Sequence, residues 1–443
     1  MTQIRKWIGN DINICASALA DHPHTVFFDS NRQSHPDSEY SLLCWQPTHI
    51  ISIKDGVITI DGEPADNDDL FDILDIYLEQ YSAPHNEESL PFIGGLVGYF
   101  SYDFGSKLQD IPLQDDDLDL PDALFGLYEN VLMTHHQSQE SWIIASQDAE
   151  DILNHALKNI QSTSHPSSPV TWSQSFPQDQ YEALIDETRE EIAKGEFYQV
   201  NMTYRLEAER PHDFSSYDHY QSLRETNSAP FSLYANYPEF QILSCSPEKF
   251  LSVHDNLVTT KPIKGTLPSS QDASQLQDNP KERAENIMIV DLLRNDISQS
   301  CAPHSVTVPK LCEIETFENI HHLVSTIEGE LSNDHNIFDL LESALPGGSI
   351  TGAPKIAAMT YIAKKEPVRR GLYCGSFGYI GFDHNAQFNI LIRTLITTNN
   401  KLIINAGSGI VYDSVPQKEY QETQDKISKI LESFNAEKMD DAA

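Results

Sequence analysis

Four short stretches carry residue types able to do acid–base, nucleophilic or cation-binding chemistry. Lys264 stands in Pro262-Ile263-Lys264-Gly265-Thr266, after Thr259-Thr260-Lys261, so its amine sits on extended chain beside a glycine, away from any helix face, and can point into a cleft. Glu419, Glu422 and Lys426 fall at i, i+3 and i+7, on one face of a predicted helix. Two carboxylates one turn apart can hold a hard cation such as Mg²⁺, which takes few carboxylates and leaves positions for substrate; the alternative is a solvent-facing Glu422–Lys426 pair. A second predicted helix, about 281–297, carries Glu285, Asn286, Asp291, Asn295 and Asp296. Asp291 and Asn295 share a face beside Met288 and Leu292, and polar groups next to a core stripe need partners, so they either anchor loops or line a site. The glycine-rich run 346–355 fails as a P-loop because Ala353-Pro354 separate Gly352 from Lys355. It can still hold a carboxylate at a helix start, or be a tight turn with Thr351 as N-cap. Ala406-Gly407-Ser408-Gly409 admits a ligand or a strand bulge, and lacks the third glycine of a dinucleotide site. His321-His322 precede an apolar strand, where a histidine is either a core residue or a catalyst. No G-x-S-x-G elbow or H-E-x-x-H helix occurs.

These residues must be positioned by a mixed framework. Short strands dominate the first part: 49–53 with 57–60 across an Asp55-Gly56 turn, and 141–145. Helices are predicted over about 177–196, with a stripe of Tyr181, Leu184, Ile185, Thr188 and Ile192 ending near Gly195, and over about 415–434, with Ser414 as N-cap, Pro416 in the first turn and a stripe of Ile427, Ile430, Leu431 and Phe434. Strands and helices do not alternate regularly, which predicts α+β with antiparallel sheets. The polar run 161–175 reads as a linker between an N-terminal region, 1–160, and a larger one, 176–435, with a frayed tail at 436–443 and a solvated acidic loop at 115–119. The chain is long enough for two or three average domains or one large one.

Charge narrows the partners. With 67 acidic against 29 basic residues, a net charge of −38, the field repels nucleic acid. An anionic substrate would need local cations or a metal, which singles out Lys264, Lys355, Arg393 and Lys426. The six cysteines form no C-x-x-C pair, as expected of free thiols in a reducing cytoplasm. Polar residues interrupt the apolar stretch at the N-terminus, which argues against a signal peptide, and no apolar run is long enough to span a membrane.

Taken in order, the motifs resemble the chorismate-utilising enzymes. The matching run is GEFYQVN at 195–201, SPEKF at 246–250, PIKGT at 262–266, RAENIMIVDLLRND at 283–296, the 346–355 loop, IRT at 392–394, AGSGIV at 406–411 and EYQET at 419–423. A thinner N-terminal match rests on Phe28-Asp29-Ser30, His35-Pro36 with Ser38 and Tyr40, and the stretches 91–95 and 102–105. The resemblance implies an antiparallel β-sandwich flanked by helices, with the active site in a cleft of the C-terminal part. It places Mg²⁺ ligands at Glu285 and Glu422 with Glu419 close by. It places substrate contacts at Gly265, Thr266, Thr351, Tyr379, Arg393, Gly407, Gly409 and Lys426, and an active-site role at His322. Glu248 resembles the general acid that protonates the departing C4 hydroxyl of chorismate. Within the family the residue at 264 is Ala in the anthranilate-forming branch and Lys in the aminodeoxychorismate-forming branch, where it adds covalently at C2. That role needs a neutral amine, so Lys264 is expected to titrate below its free value. Isochorismate-forming relatives carry a water-activating lysine where this chain has Gln199, and glutamine is no base, so ammonia is the expected incoming group. No glutaminase-like cysteine motif is present, which implies a separate glutamine amidotransferase subunit. Some members hold tryptophan between their sheets; the corresponding positions are Ser30, Asp37, Ser38, Glu39, Tyr40, Pro230, Phe231 and Ser232. Lys249 and Ser408 depart from the family's usual arginine and glycine, at positions outside the implied chemistry. Rival readings are an anthranilate-forming enzyme and a silent regulatory subunit that binds tryptophan or chorismate.

Overall fold

The computed structural model describes residues 4–31, 35–81, 86–160, 168–268, 270–317 and 320–434. Its framework is two antiparallel sheets, each of twelve strands among the described residues. In the first, Val131–His135, Tyr40–Cys44 and Thr25–Phe28 continue through Phe231–Asn236, Phe240–Ser246 and Thr394–Thr398 to Lys401–Ile410 and Gln199–Glu209. In the second, Ile263–Pro268, Ile320–Glu330, Leu257–Thr260 and Lys249–His254 continue through Ala386–Asn389 and Ser376–Gly381 to Gly95–Phe100, Ala123–Tyr128 and His49–Lys54.

Most of these strands are buried on both faces, so their side chains divide by the strand period of two. Val26 and Leu42 join Val97, Tyr99 and Phe377 in a core between the sheets. Their neighbours Phe27 and Leu43 face the other way, packing with Ile12 and Leu19 of the helix Ile12–Leu19. Aromatic contacts tie the sheets face to face, such as Phe28 with Phe377 at 5.7 Å between centroids and Tyr99 with Phe240 at 6.1 Å. The result is the α+β sandwich flanked by helices that the motifs imply.

Both parts of the chain contribute strands to both sheets. Residues 161–167 lie outside the described residues, as does the tail from 435. The remainder of the supposed linker is built in: Trp172 is buried, stacking edge-on to Phe434, and Ser173–Gln174 pairs with Glu207 and Leu206. Aromatic burial overrides the polar composition there. The acidic loop is exposed, as expected, with ion pairs from Asp117 to the buried Arg205 and from Asp119 to Lys54.

The predicted helices form at Gln178–Lys194, Pro280–Ser298 and Pro416–Glu432. Gly195 closes the first with φ 89°, a conformation that glycine adopts without strain. Asn279 caps the second through the backbone amides of Lys281 and Glu282. Ser414 is not the cap of the third: that position is Val415, and the Ser414 hydroxyl accepts from the Val411 amide instead. The Asp55-Gly56 turn forms with both residues at positive φ, 49° and 79°. All six cysteines are free and buried, and among the described residues no helix is long and apolar enough to cross a membrane.

One buried acid gives the fold a pH dependence. Asp103, in the first turn of the helix Tyr102–Leu108, is 5% exposed and its Oδ1 has no hydrogen-bond partner. Burial pushes its carboxyl up to about 7, against the pull of Arg369. The folded chain therefore holds a proton that the unfolded chain releases near pH 4, and stability falls as pH rises toward 7. Relative to the parent, Asp103→Asn is expected to gain roughly 1–3 kcal/mol between pH 4 and pH 8. Denaturant titrations at both pH values check this; an identical pH dependence in the two proteins would contradict it.

Candidate active site

The residues singled out by type and spacing converge on a cleft of about 620 Å³. Its walls come from the strands Ile263–Pro268 and Lys401–Ile410, the start of the helix Pro280–Ser298, a face of the helix Pro416–Glu432 from Glu419 to Lys429, and the loop around Ser349. Lys264, Gly265, Glu248, Glu285, His322, Arg393, Gly407, Gly409, Glu419, Glu422 and Lys426 all line it.

Lys264 reaches the cleft because its strand is irregular. Lys264 pairs with Leu323 and Thr266 with His322, so Gly265 is one residue too many and forms a bulge. Gly265 has φ 64°, and a Cβ there would lie 2.4 Å from Leu276 Cδ1 and 2.9 Å from Glu282 Oε2. The same pairing puts His322 on the cleft side. Its neighbour His321 turns to Thr316 and the Gln271 carbonyl. Thr266 lies on the bulged strand, one residue beyond the turn that aims Lys264.

The Lys264 Nζ lies 3.1 Å from Glu285 Oε1, which also accepts from Gln199 Nε2 at 2.7 Å. Burial pulls Lys264 down, but the charges of Glu285 and Glu248 outweigh it, and the amine is held above its ordinary value. This reverses the expectation of a depressed lysine, which considered burial without the facing carboxylates. Glu285 is pushed up by burial and brought below the usual range by Lys264 and Gln199. Glu248 behaves oppositely: burial raises it despite a hydrogen bond from Ser349 and the cations Lys264, Lys426 and Arg393. A charged ammonium and a carboxyl that favours its proton thus share one cleft.

The carboxylate wall is crowded. Glu282, one turn before Glu285 on the same helix, is raised by burial and by Glu285 and Glu422; Glu419 is raised by burial and by Glu422. Glu422 Oε1 pairs with Lys426 Nζ at 2.8 Å, and Lys426 also donates to the Gly407 carbonyl at 3.0 Å. The solvent-facing i,i+4 pair read from spacing therefore forms, with Glu422 55% exposed, and both residues also line the cleft. The glycines of the facing strand make room: a Cβ on Gly409 would stand 2.3 Å from Gln199 Nε2, and one on Gly407 2.6 Å from Thr203 Cγ2. The strand pairing is continuous there, so these are close approaches and not a bulge. Arg393 has a left-handed backbone, φ 50°, of the kind held only by surrounding structure.

Two expected substrate contacts lie elsewhere. Tyr379 points between the sheets, with its ring 4.7 Å from Phe92 and 5.8 Å from Phe28, because the strand period carries it away from the cleft. Tyr373, in the turn before that strand, lines the cleft in its place. Thr351 is fully buried and its hydroxyl donates to the Gly347 and Gly348 carbonyls, so it braces the loop. It is not a helix cap either: the next helix begins at Lys355, after Pro354. Lys355 pairs with the buried Asp296 at 2.8 Å, outside the cleft lining. Asp291 and Asn295 are exposed and line no site. Glu282, Lys281, Ser349 and Tyr373 were not singled out from sequence. Glu282 carried a signal, its i, i+3 spacing to Glu285; the turn residues carried none.

A second cavity, of about 180 Å³, lies between the sheets and is lined by Phe28, Ser30, Asp37, Glu39, Tyr40, Phe231, Ser232 and Tyr379 among others. Ser38 is buried there in the chain with its hydroxyl unpartnered, and Pro230 is buried, but neither lines the cavity. Ser408 hydrogen-bonds Glu419 and lies 3.5 Å from Tyr181 Oη.

A family model described as chorismate binding enzyme matches residues 23–432. Aminodeoxychorismate synthase component 1 of Escherichia coli K12 is 36% identical, covering 94% of this chain and 95% of that protein. Anthranilate synthase component 1 of Lactococcus lactis is 32% identical, covering 92% and 93%. The crystal structure of anthranilate synthase component I from Streptococcus pneumoniae superimposes with a TM-score of 0.80 at 33% identity, covering 89% of this chain and 92% of that one. With a match of this extent and a cleft built from the matching motifs, the chain belongs to the chorismate-binding enzyme family.

Proposed function

We propose that the protein replaces the C4 hydroxyl of chorismate with an amino group, giving 4-amino-4-deoxychorismate for 4-aminobenzoate and folate synthesis. The observation that carries this reading is Lys264 itself, aimed by the Gly265 bulge into the cleft that also holds Glu248 and Glu285. Glu248, its carboxyl favouring the protonated form, donates to the leaving oxygen. Lys264 first gives up a proton to solvent in the open cleft, because only the neutral amine is a nucleophile. Its neutral Nζ then adds at C2, both ring double bonds shift, and the C4–O bond breaks with loss of water as Glu248 protonates the oxygen. Ammonia adds at C4 and the lysine leaves by the reverse shift. Gln199 lies beside this pair with an amide that cannot serve as a base, in keeping with an amine rather than water as incoming group. Arg393 and Lys426 supply the local cations that an anionic substrate requires in so acidic a chain.

The carboxylate wall fits Mg²⁺. Burial and mutual repulsion raise Glu282 and Glu419, a crowding that a divalent cation relieves. Mg²⁺ takes only one or two protein carboxylates and keeps waters and substrate as its other ligands. Glu285 and Glu422, with Glu419 behind them, would hold it, and when bound it supplies positive charge for the ring carboxylate. Ammonia comes in this reading from a glutamine amidotransferase subunit, in keeping with relatives named as component 1. The smaller cavity, with its aromatic walls and the acidic Glu39, is proposed to take tryptophan; heat-denatured purified protein would then release the amino acid in a stoichiometric amount.

The decisive assay incubates the protein with chorismate, Mg²⁺ and ammonium salt at mildly alkaline pH, with products separated and weighed. The expected product keeps the enolpyruvyl group and becomes 4-aminobenzoate when the lyase is added. Lys264→Ala is expected to lower that turnover by roughly a hundredfold or more, as loss of a covalent catalyst does, and chelation of Mg²⁺ to abolish it. Anthranilate from the parent protein would overturn the reading in favour of the anthranilate-forming branch, and no turnover would favour a regulatory subunit.

A further inference from the structure

Asp37 stands outside the cleft, yet it holds the two lysines nearest in sequence to the groups assigned to catalysis. Its carboxylate is 12% exposed. It accepts from Lys249 Nζ at 2.7 Å through Oδ1 and from Lys261 Nζ at 3.0 Å through Oδ2. Burial works against the Asp37 charge, and the two ammonium groups overcome it, bringing the carboxyl to about 2. His35 Nδ1 is 3.8 Å away and accepts from the Asp37 amide, so the segment is fixed from its own side as well.

Lys249 directly follows Glu248, and Lys261 precedes Lys264 by three residues. Both positions are irregular points of the second sheet. The pairing of Lys249–His254 with Ala386–Asn389 shifts register between Lys249 and Leu251, and Lys261 lies in the break between Leu257–Thr260 and Ile263–Pro268. At such points the ladder of backbone hydrogen bonds does not set the chain path, so side chains must. Lys249 is 8% exposed and has no water to fall back on. Thr260 adds a brace, its hydroxyl donating to the Phe250 carbonyl at 2.6 Å.

We infer that Asp37 is a positioning residue: by clamping Lys249 and Lys261 to one carboxylate, it sets the distance between Glu248 and Lys264. The inference rests on the proposed roles of those two groups. Its effect belongs to the chemical step and not to substrate affinity, because no atom of Asp37 lines the cleft.

The test compares Asp37→Asn, Asp37→Glu, Lys261→Met and the double variant Asp37→Asn/Lys261→Met. Turnover is expressed per active site from the stoichiometry of chorismate binding in calorimetry. A displacement of about an ångström between reacting groups costs up to a hundredfold, so kcat is expected to fall about ten- to a hundredfold in Asp37→Asn with KM within about twofold. Asp37→Glu is expected to restore part of it. Lys261→Met, whose side chain is 20% exposed and least costly to fold without, should lower kcat in the same sense. The double variant should be no worse than the more damaged single one. Unchanged kcat per active site in Lys261→Met, or losses in the double variant that multiply, would overturn the inference. Chorismate consumption is the rate followed, so a parent enzyme that makes anthranilate would refute the amination while leaving the clamp to stand or fall on these ratios.

Discussion

The structure turns on one partly buried ion pair, Lys264 with Glu285. Moving an ammonium and a carboxylate out of water costs several kcal/mol each, and their attraction returns that cost only with good geometry and further hydrogen bonds. Gln199 supplies one such bond. A hydrophobic pair of similar volume would stabilise the fold at least as well, so the pair is better understood through chemistry than through stability. It keeps an amine, a proton donor and a carboxylate wall within one space.

The surrounding architecture follows from that requirement. A lysine on a regular strand of a doubly buried sheet would point into a core, and the bulge at Gly265 turns it to the cleft instead. The facing strand gives up side chains at Gly407 and Gly409 because the Gln199 amide and Thr203 occupy that space. The helix carrying Glu282 and Glu285 begins at an Asn279 cap, and its first turns bring Glu282 against the Gly265 bulge and Glu285 to Lys264. Loop residues then complete the floor: Ser349 bonds Glu248, and Thr351 braces the turn behind it.

Local chemistry was legible in the sequence, and long-range geometry was not. Apolar stripes with Gly195 or Pro416 at their ends located the helices, and Asp55-Gly56 marked its hairpin. The i, i+3 spacing of Glu419 and Glu422 put both on the cleft face. Tyr379 misled because a strand buried on both faces offers no polar side from which to tell cleft from core. The protonation of Lys264 was misjudged for a related reason: it depends on Glu285, which arrives from another helix. Asp37 and Lys249 are 212 residues apart, and nothing in either neighbourhood announces the other. The linker reading failed where Trp172 found a buried partner in Phe434.

The most direct measurement is peptide mass spectrometry of protein quenched during exposure to chorismate and Mg²⁺ without ammonia. The expected result is a peptide containing Lys264 that carries chorismate less one water, and that loses it when ammonia is added before the quench. An unmodified Lys264 in protein that goes on to aminate chorismate at full rate would contradict covalent catalysis by this residue.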